Sequence, residues 1–182
     1  MLKLILNKKY NPLFESDARY FIITGGRGSG KSFAVTVFLT LLTMSKNIRV
    51  LFTRFTMVSA HLSIIPEFLE KISLLGFDNI FSVNKAEVVN LGNKSDILFR
   101  GIKTSAGNQT ASLKSLQGIS TWVLDEAEEL IDEDIFDTID LSIREKDVQN
   151  RIILILNPVT KEHWIYNRFF QDKGVEAGFN GV

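Results

Sequence analysis

Hydrophobic residues along the 182-residue chain fall into short unbroken runs more often than into strict alternation. Such runs mark strands buried on both faces of a sheet. Tyr20-Phe-Ile-Ile-Thr24 is the first, and the glycine-rich stretch Gly25 to Gly30 ends it. Arg49 to Arg54, Ile119 to Leu124 and Arg151 to Leu156 repeat the pattern and predict three further core strands. Between them, Ser32 to Ser45 reads as a helix that is apolar nearly all round and therefore covered by other elements. Thr56 to Leu75 predicts a second helix, kinked at Pro66 and stopped by Gly76. Asp132 to Arg144 and Thr160 to Asp172 predict two more. Glu87 to Gly92 and Asp96 to Arg100 flank Asn93 and Lys94 as a hairpin. Gly101 to Gly118 is polar and long for a loop, and loops of that length in compact domains are usually functional or mobile.

Strand alternating with helix predicts an α/β fold, a mostly parallel central sheet flanked by helices with a small hairpin insertion. In such sheets ligands bind at the carboxyl ends of the strands. No repeat or linker divides the chain, so residues 1–182 are expected to form one domain. Composition supports a packed core, with 45% hydrophobic residues, 23% charged residues and a mean hydropathy of +0.10. No apolar run reaches the roughly 18 residues of a membrane span, and Met1 to Lys9 lacks a signal-peptide core, so an intracellular protein is expected. The absence of cysteine excludes disulfide scaffolds, thiolate zinc sites and cysteine nucleophiles, and two histidines make a histidine-built metal centre improbable.

Charge adds an asymmetry. Twenty-one basic and twenty-one acidic side chains cancel, but nine of the acids lie between Asp125 and Asp140, with no Lys or Arg among them. The rest of the chain is therefore basic, a surface a polyanion such as DNA could approach. The acids from Glu128 to Asp140 are expected to form a solvated helix face.

The chemistry concentrates at strand ends. Gly25-Gly26-Arg27-Gly28-Ser29-Gly30-Lys31-Ser32 fits G-x-x-x-x-G-K-[ST] between a predicted strand and a predicted helix. Glycines let successive N–H groups turn inward on phosphate oxygens, and the helix adds its positive end. Lys31 is expected to bridge the β- and γ-phosphates of ATP, and Ser32 to offer its hydroxyl to Mg²⁺.

Ninety-four residues beyond Lys31, the strand ending at Leu124 delivers Asp125 and Glu126. Adjacent strand residues point to opposite sides, so Asp125 can orient Mg²⁺, partly through water, while Glu126 activates water as general base. Asn157 should emerge at the same edge as a γ-phosphate sensor, although Asn-Pro is also a plain turn signal. Arg27 and Arg54 are candidates to stabilise the transferring phosphoryl group. Lys114, in the long loop, is a candidate to reach a neighbouring subunit's nucleotide or DNA, the alternative being an exposed lysine. Trp164, Ile165 and Phe169 have helical spacing and are expected in the core.

The phosphate loop with its internal arginine, Ile97-Leu-Phe-Arg-Gly101, Lys114-Ser115, Trp122-Val-Leu-Asp-Glu-Ala-Glu-Glu129 and Leu156-Asn-Pro158 together resemble the ATPase domain of the large terminase subunit of tailed bacteriophages. The resemblance runs from about Tyr10 to Phe170 and implies a P-loop NTPase of the ASCE type. It implies Mg²⁺-dependent ATP hydrolysis that drives double-stranded DNA through a portal into a procapsid, in the cytoplasm of an infected bacterial host. Portal protein and small terminase subunit would be partners. A homo-oligomeric ring would form on the capsid, with a monomer in isolation left open.

By the same resemblance Arg27 senses the γ-phosphate, Glu126 is the catalytic carboxylate, Asn157 couples hydrolysis to movement, and the segment Tyr10 to Phe14 meets the adenine. The nuclease domain that follows in family members is expected to be absent, and with it DNA cleavage. Another DNA-translocating ATPase or helicase, and a nucleotide-binding assembly module with negligible turnover, remain the alternatives.

Overall fold

Nine strands are present in a computed structural model describing residues 4–56, 60–104, 107–108, 113, 116–158 and 160–175, and the six that the sequence predicts occur in the predicted order. After a 3₁₀ turn and the short helix α1 (Pro12–Glu15) come β1 (Tyr20–Thr24), α2 (Lys31–Leu42), β2 (Arg49–Arg54) and α3 (Ala60–Leu74). β3 (Phe81–Val83), β4 (Glu87–Asn90), β5 (Asp96–Gly101), β6 (Lys103–Thr104) and β7 (Gly107–Asn108) follow. β8 (Thr121–Asp125), α4 (Glu133–Asp140), β9 (Arg151–Leu156) and α5 (Trp164–Tyr166) complete the order.

Among the described residues seven strands form one sheet in the order β1-β9-β8-β2-β5-β4-β3, and β6 pairs with β7 as a separate ribbon. The five strands from β1 to β5 in that order run parallel, so their carboxyl ends share one edge. β5, β4 and β3 pair antiparallel. The predicted hairpin is β4–β5, extended by β3, a three-residue strand too short to announce itself in the sequence. β9 lies between β1 and β8. That insertion sets the end of β9 midway between the phosphate loop and Asp125.

Alternation along the buried strands divides the core into two layers. Val50, Phe52, Val123, Ile153 and Ile155 pack with α2 and α3, while Leu51, Trp122, Leu124, Ile152, Leu154 and Leu156 pack with α4 and α5. Each side chain so buried contributes on the order of 2 kcal/mol. α2 is buried nearly all round, as its sequence predicts. Its threonines are accommodated because Thr40 Oγ1 donates to Thr36 O at 2.8 Å and Thr43 Oγ1 to Leu39 O at 3.0 Å. Trp122 Nε1 donates to Thr53 Oγ1 at 2.8 Å, and that hydroxyl donates to Val123 O at 3.0 Å, leaving no polar atom of the pair unsatisfied between β2 and β8.

Five expectations change. The acids of α4 are not simply a solvated face: Asp140 is buried, accepting from Arg19 Nη2 at 2.6 Å and Tyr20 Oη at 2.8 Å, and Arg168 Nη1 donates to Glu133 at 2.9 Å and Asp137 at 2.5 Å. The helix ends at Asp140, short of the predicted Arg144, and Arg19 donates to the Asp140 and Ile143 carbonyls there. The last predicted helix is a single α turn followed by a π turn, Asn167–Gln171. The long polar loop contains the β6–β7 ribbon and buries Leu113. Thr56 lies outside α3, whose described residues begin at Ala60; the helix carries Pro66 and ends at Leu74, shortly before Gly76, whose φ of +73° suits glycine. No helix among the described residues is long and apolar enough to cross a membrane.

Candidate active site

The phosphate loop leaves β1 at Thr24 and turns into α2 at Lys31. Gly28 and Gly30 take φ of +74° and +83°, values that a side chain would strain, and they reverse the backbone before the helix. Tyr10, buried at 6% exposure, reaches across from the first 3₁₀ turn and donates its hydroxyl to Ser29 O at 2.8 Å. The resemblance places Tyr10 in the adenine-contacting segment; in the structure its hydroxyl fixes the loop. The signal available was only an aromatic residue ahead of the first strand.

Lys31 opens α2 and folds back over its own loop. Its ammonium donates to the carbonyls of Gly25 and, at 3.0 Å, Gly26, and stands 3.5 Å from Asn157 Oδ1. Burial holds its pKa below the usual lysine range, and the carboxylates of Glu128 and Asp125 oppose that shift. Arg27 is exposed at the rim of the loop.

Asp125 ends β8 with only 4% of its surface exposed. Its Oδ2 accepts from Arg54 Nε at 2.8 Å and Nη2 at 2.6 Å. Arg54, at the end of the neighbouring β2, also lies 3.6 Å from Glu126 Oε2 and donates to Ser63 Oγ at 3.2 Å. One guanidinium thus holds the two adjacent carboxylates. Glu126 adopts φ 55° and ψ 45°, a left-handed conformation unusual outside glycine. The strand ends there, and the carboxylate turns into the cleft instead of continuing the alternation. Burial pushes the Glu126 carboxyl above the usual carboxylate range; Arg54 opposes this and Asp125 adds to it.

Asn157, at the end of the inserted β9, completes the edge. Its amide nitrogen donates to Glu128 Oε1 at 2.6 Å. Glu128 was missed in the sequence because it stood within a run of acids and carried no motif position of its own.

Gly26 to Ser32, Arg54, Asp125, Glu126, Glu128 and Asn157 line one open cleft of about 400 Å³. A triphosphate is an anion that loop N–H groups and a lysine can hold, and the hard oxygens of Ser32 and Asp125 suit Mg²⁺. The predicted site residues from Gly26 to Ser32, with Arg54, Asp125, Glu126 and Asn157, meet there; Gly25 immediately precedes the lining, and Lys114 lies outside the described residues.

Comparison with known proteins agrees with this architecture. The chain is similar to the large terminase of a thermophilic bacteriophage, with a TM-score of 0.72 and 14% identity over 93% of this chain and 43% of that one. The same phage's large terminase in complex with ADP matches with a TM-score of 0.68 and 14% identity, over 91% and 42% of the two chains. The ATPase domain of the Thermus phage P74-26 large terminase matches with a TM-score of 0.63 and 19% identity, over 90% of this chain and 68% of that one. At such identities the likeness shows the fold, a P-loop NTPase domain. The chain spans less than half the length of the thermophilic phage's terminase chains. No curated protein sequence matches it. A family model described as phage terminase large subunit does match, over residues 17–178, and the chain belongs to that family.

Proposed function

We propose that this chain is a Mg²⁺-dependent ATPase domain, residues 1–182 acting as one unit, whose turnover powers movement of double-stranded DNA into a procapsid. The observation that carries the reading is the convergence of Lys31, Asp125, Glu126 and Asn157 on one cleft at the carboxyl edge of the sheet. The similar terminase of the thermophilic phage has been seen with ADP.

In this reading the loop from Gly25 to Ser32 binds the triphosphate, with Lys31 exchanging its carbonyl partners for phosphate oxygens. Ser32 and Asp125 would hold Mg²⁺, which when bound neutralises phosphate charge. Arg54 holds Asp125 in place through its two hydrogen bonds to Oδ2. Glu126, whose raised pKa makes it a better base than an ordinary carboxylate, accepts a proton from the attacking water. Arg27 stands at the rim, where it can meet charge developing on the γ-phosphoryl group, and Asn157 reads whether that group is present. Portal protein, small subunit and a ring of copies on the capsid, in the host cytoplasm, belong to the same proposal.

The test is steady-state ATP hydrolysis with Mg²⁺ by the wild type and Glu126→Gln across protein concentration, with and without duplex DNA. Turnover that rises with concentration and vanishes in the variant supports a motor completed by neighbouring copies. Nucleotide binding without Glu126-dependent turnover would reject it.

A further inference from the structure

We propose that Glu128 is a positioning residue of the nucleotide site, acting through Asn157 to hold that amide with its oxygen toward Lys31. The inference rests on the ATPase reading for its kinetic consequence, though not for its geometry.

Asn157 sits at an exposed strand end, followed by Pro158. Left alone, a carboxamide there would sample several rotamers and either flip of its nitrogen and oxygen. Two charged neighbours remove that freedom. The amide nitrogen donates to Glu128 Oε1 at 2.6 Å, and the amide oxygen lies 3.5 Å from Lys31 Nζ. The flipped amide would set a carbonyl against a carboxylate and an N–H₂ group against an ammonium, opposing both contacts. The short bond to Glu128 is charge-assisted and is the stronger constraint.

Glu128 is suited to act as a fixed post. It sits in the 3₁₀ turn Ala127–Glu129, which Glu129 N and Leu130 N close by donating to Glu126 O and Ala127 O. The backbone is clamped from the other side of the turn as well. His163 Nε2 donates to Glu128 O at 3.2 Å, and Trp164 Nε1 donates to Leu130 O at 2.6 Å. Oε2 of Glu128 is buried with no hydrogen-bond partner among the described residues. A buried carboxylate oxygen is costly unless a cation compensates for it, and Lys31 is the ammonium across the same cleft. Glu128 therefore connects the phosphate-binding lysine, the γ-phosphate sensor and the turn that follows β8.

The test compares Glu128→Ala, Glu128→Gln, Asn157→Ala and the double variant Glu128→Ala/Asn157→Ala, each confirmed as folded by its thermal transition. In ATP hydrolysis with Mg²⁺, Glu128→Ala should lower kcat about tenfold or more, as expected for losing a hydrogen bond to a charged group. KM and fluorescent ADP affinity should stay within about threefold. Glu128→Gln should recover most of kcat, because its amide oxygen can still accept from Asn157. The double variant should match Asn157→Ala alone, since a residue acting through Asn157 has nothing left to position.

Wild-type kcat in Glu128→Ala, or losses that multiply in the double variant, would overturn the proposal. The Asn157 side-chain amide resonances in the wild type and Glu128→Ala decide the geometry without turnover. A large shift and faster exchange in the variant support it, and unchanged resonances reject it. Absent hydrolysis by the wild type would remove the ATPase reading, while the amide resonances would still decide whether Glu128 holds Asn157.

Discussion

Arg54 sets two nitrogens on a single oxygen of Asp125, Nε at 2.8 Å and Nη2 at 2.6 Å. The arrangement leaves Oδ1 of the same carboxylate for other partners. Both side chains are largely buried, at 17% and 6% exposure, so neither charge can turn to water if its partner is lost. Arg54→Ala should therefore destabilise the fold by about 3 kcal/mol, the usual cost of stranding a buried charge. Arg54→Lys should recover only part of that loss, because an ammonium cannot reproduce the fork. Urea unfolding at neutral pH measures both, and a loss below about 1 kcal/mol in the alanine variant would show that Asp125 finds another partner.

Arg27 gives the opposite expectation. It is exposed, so Arg27→Ala should leave the urea midpoint almost unchanged, within about 0.5 kcal/mol of wild-type stability. If it supplies charge to the transferring phosphoryl group, kcat should fall by about 10³. Parallel unfolding and turnover measurements separate the two arginines by pattern: Arg54→Ala should lose stability as well as rate, because Arg54 also holds Asp125 and Glu126, whereas Arg27→Ala should lose rate alone.

Tyr10→Phe removes one hydroxyl and the 2.8 Å bond to Ser29 O. The expected loss is about 1 kcal/mol of stability. Nucleotide affinity should fall as well, because the loop must then order its backbone on binding. Isothermal titration with ADP checks it; unchanged affinity would mean that the glycine turns alone set the loop.

Glu126 carries a pH signature. Its folded pKa is raised by burial, so the folded state holds the proton more tightly than the unfolded chain. Its favourable contribution is present below the ordinary carboxylate pKa and is lost as pH rises through the raised one. Glu126→Gln, which stays uncharged, should therefore be more stable than wild type at pH 7, and the difference should shrink as pH falls below the ordinary value. Thermal transitions of both proteins from pH 4 to 8 test the sign. A constant gap would show that the carboxylate is as well solvated folded as unfolded.

Much of this was readable before the structure. Arg151 to Leu156 appears at its predicted bounds, because a run apolar at every position after its first fits only a strand covered on both faces. That Lys31, Asp125 and Glu126 would share one strand edge was legible, because each stands at the end of an apolar run or directly after the glycine loop that follows one. Three features were not, since each depends on residues distant in sequence. Tyr10 reaches Ser29 across 19 positions, and the Glu128 contact with Asn157 spans 29. Asp140 resembled its solvated neighbours, and only the arrival of Arg19 and Tyr20, more than a hundred residues earlier, buries it.

The left-handed backbone of Glu126 bears on how this chain could be improved as a material. A glycine there would relax a conformation that costs an L-residue on the order of 1 kcal/mol. Glu126→Gly should then be a sturdier protein and an inert one. A search for thermostable variants that scores folding alone would drift toward discarding the carboxylate around which the cleft is arranged.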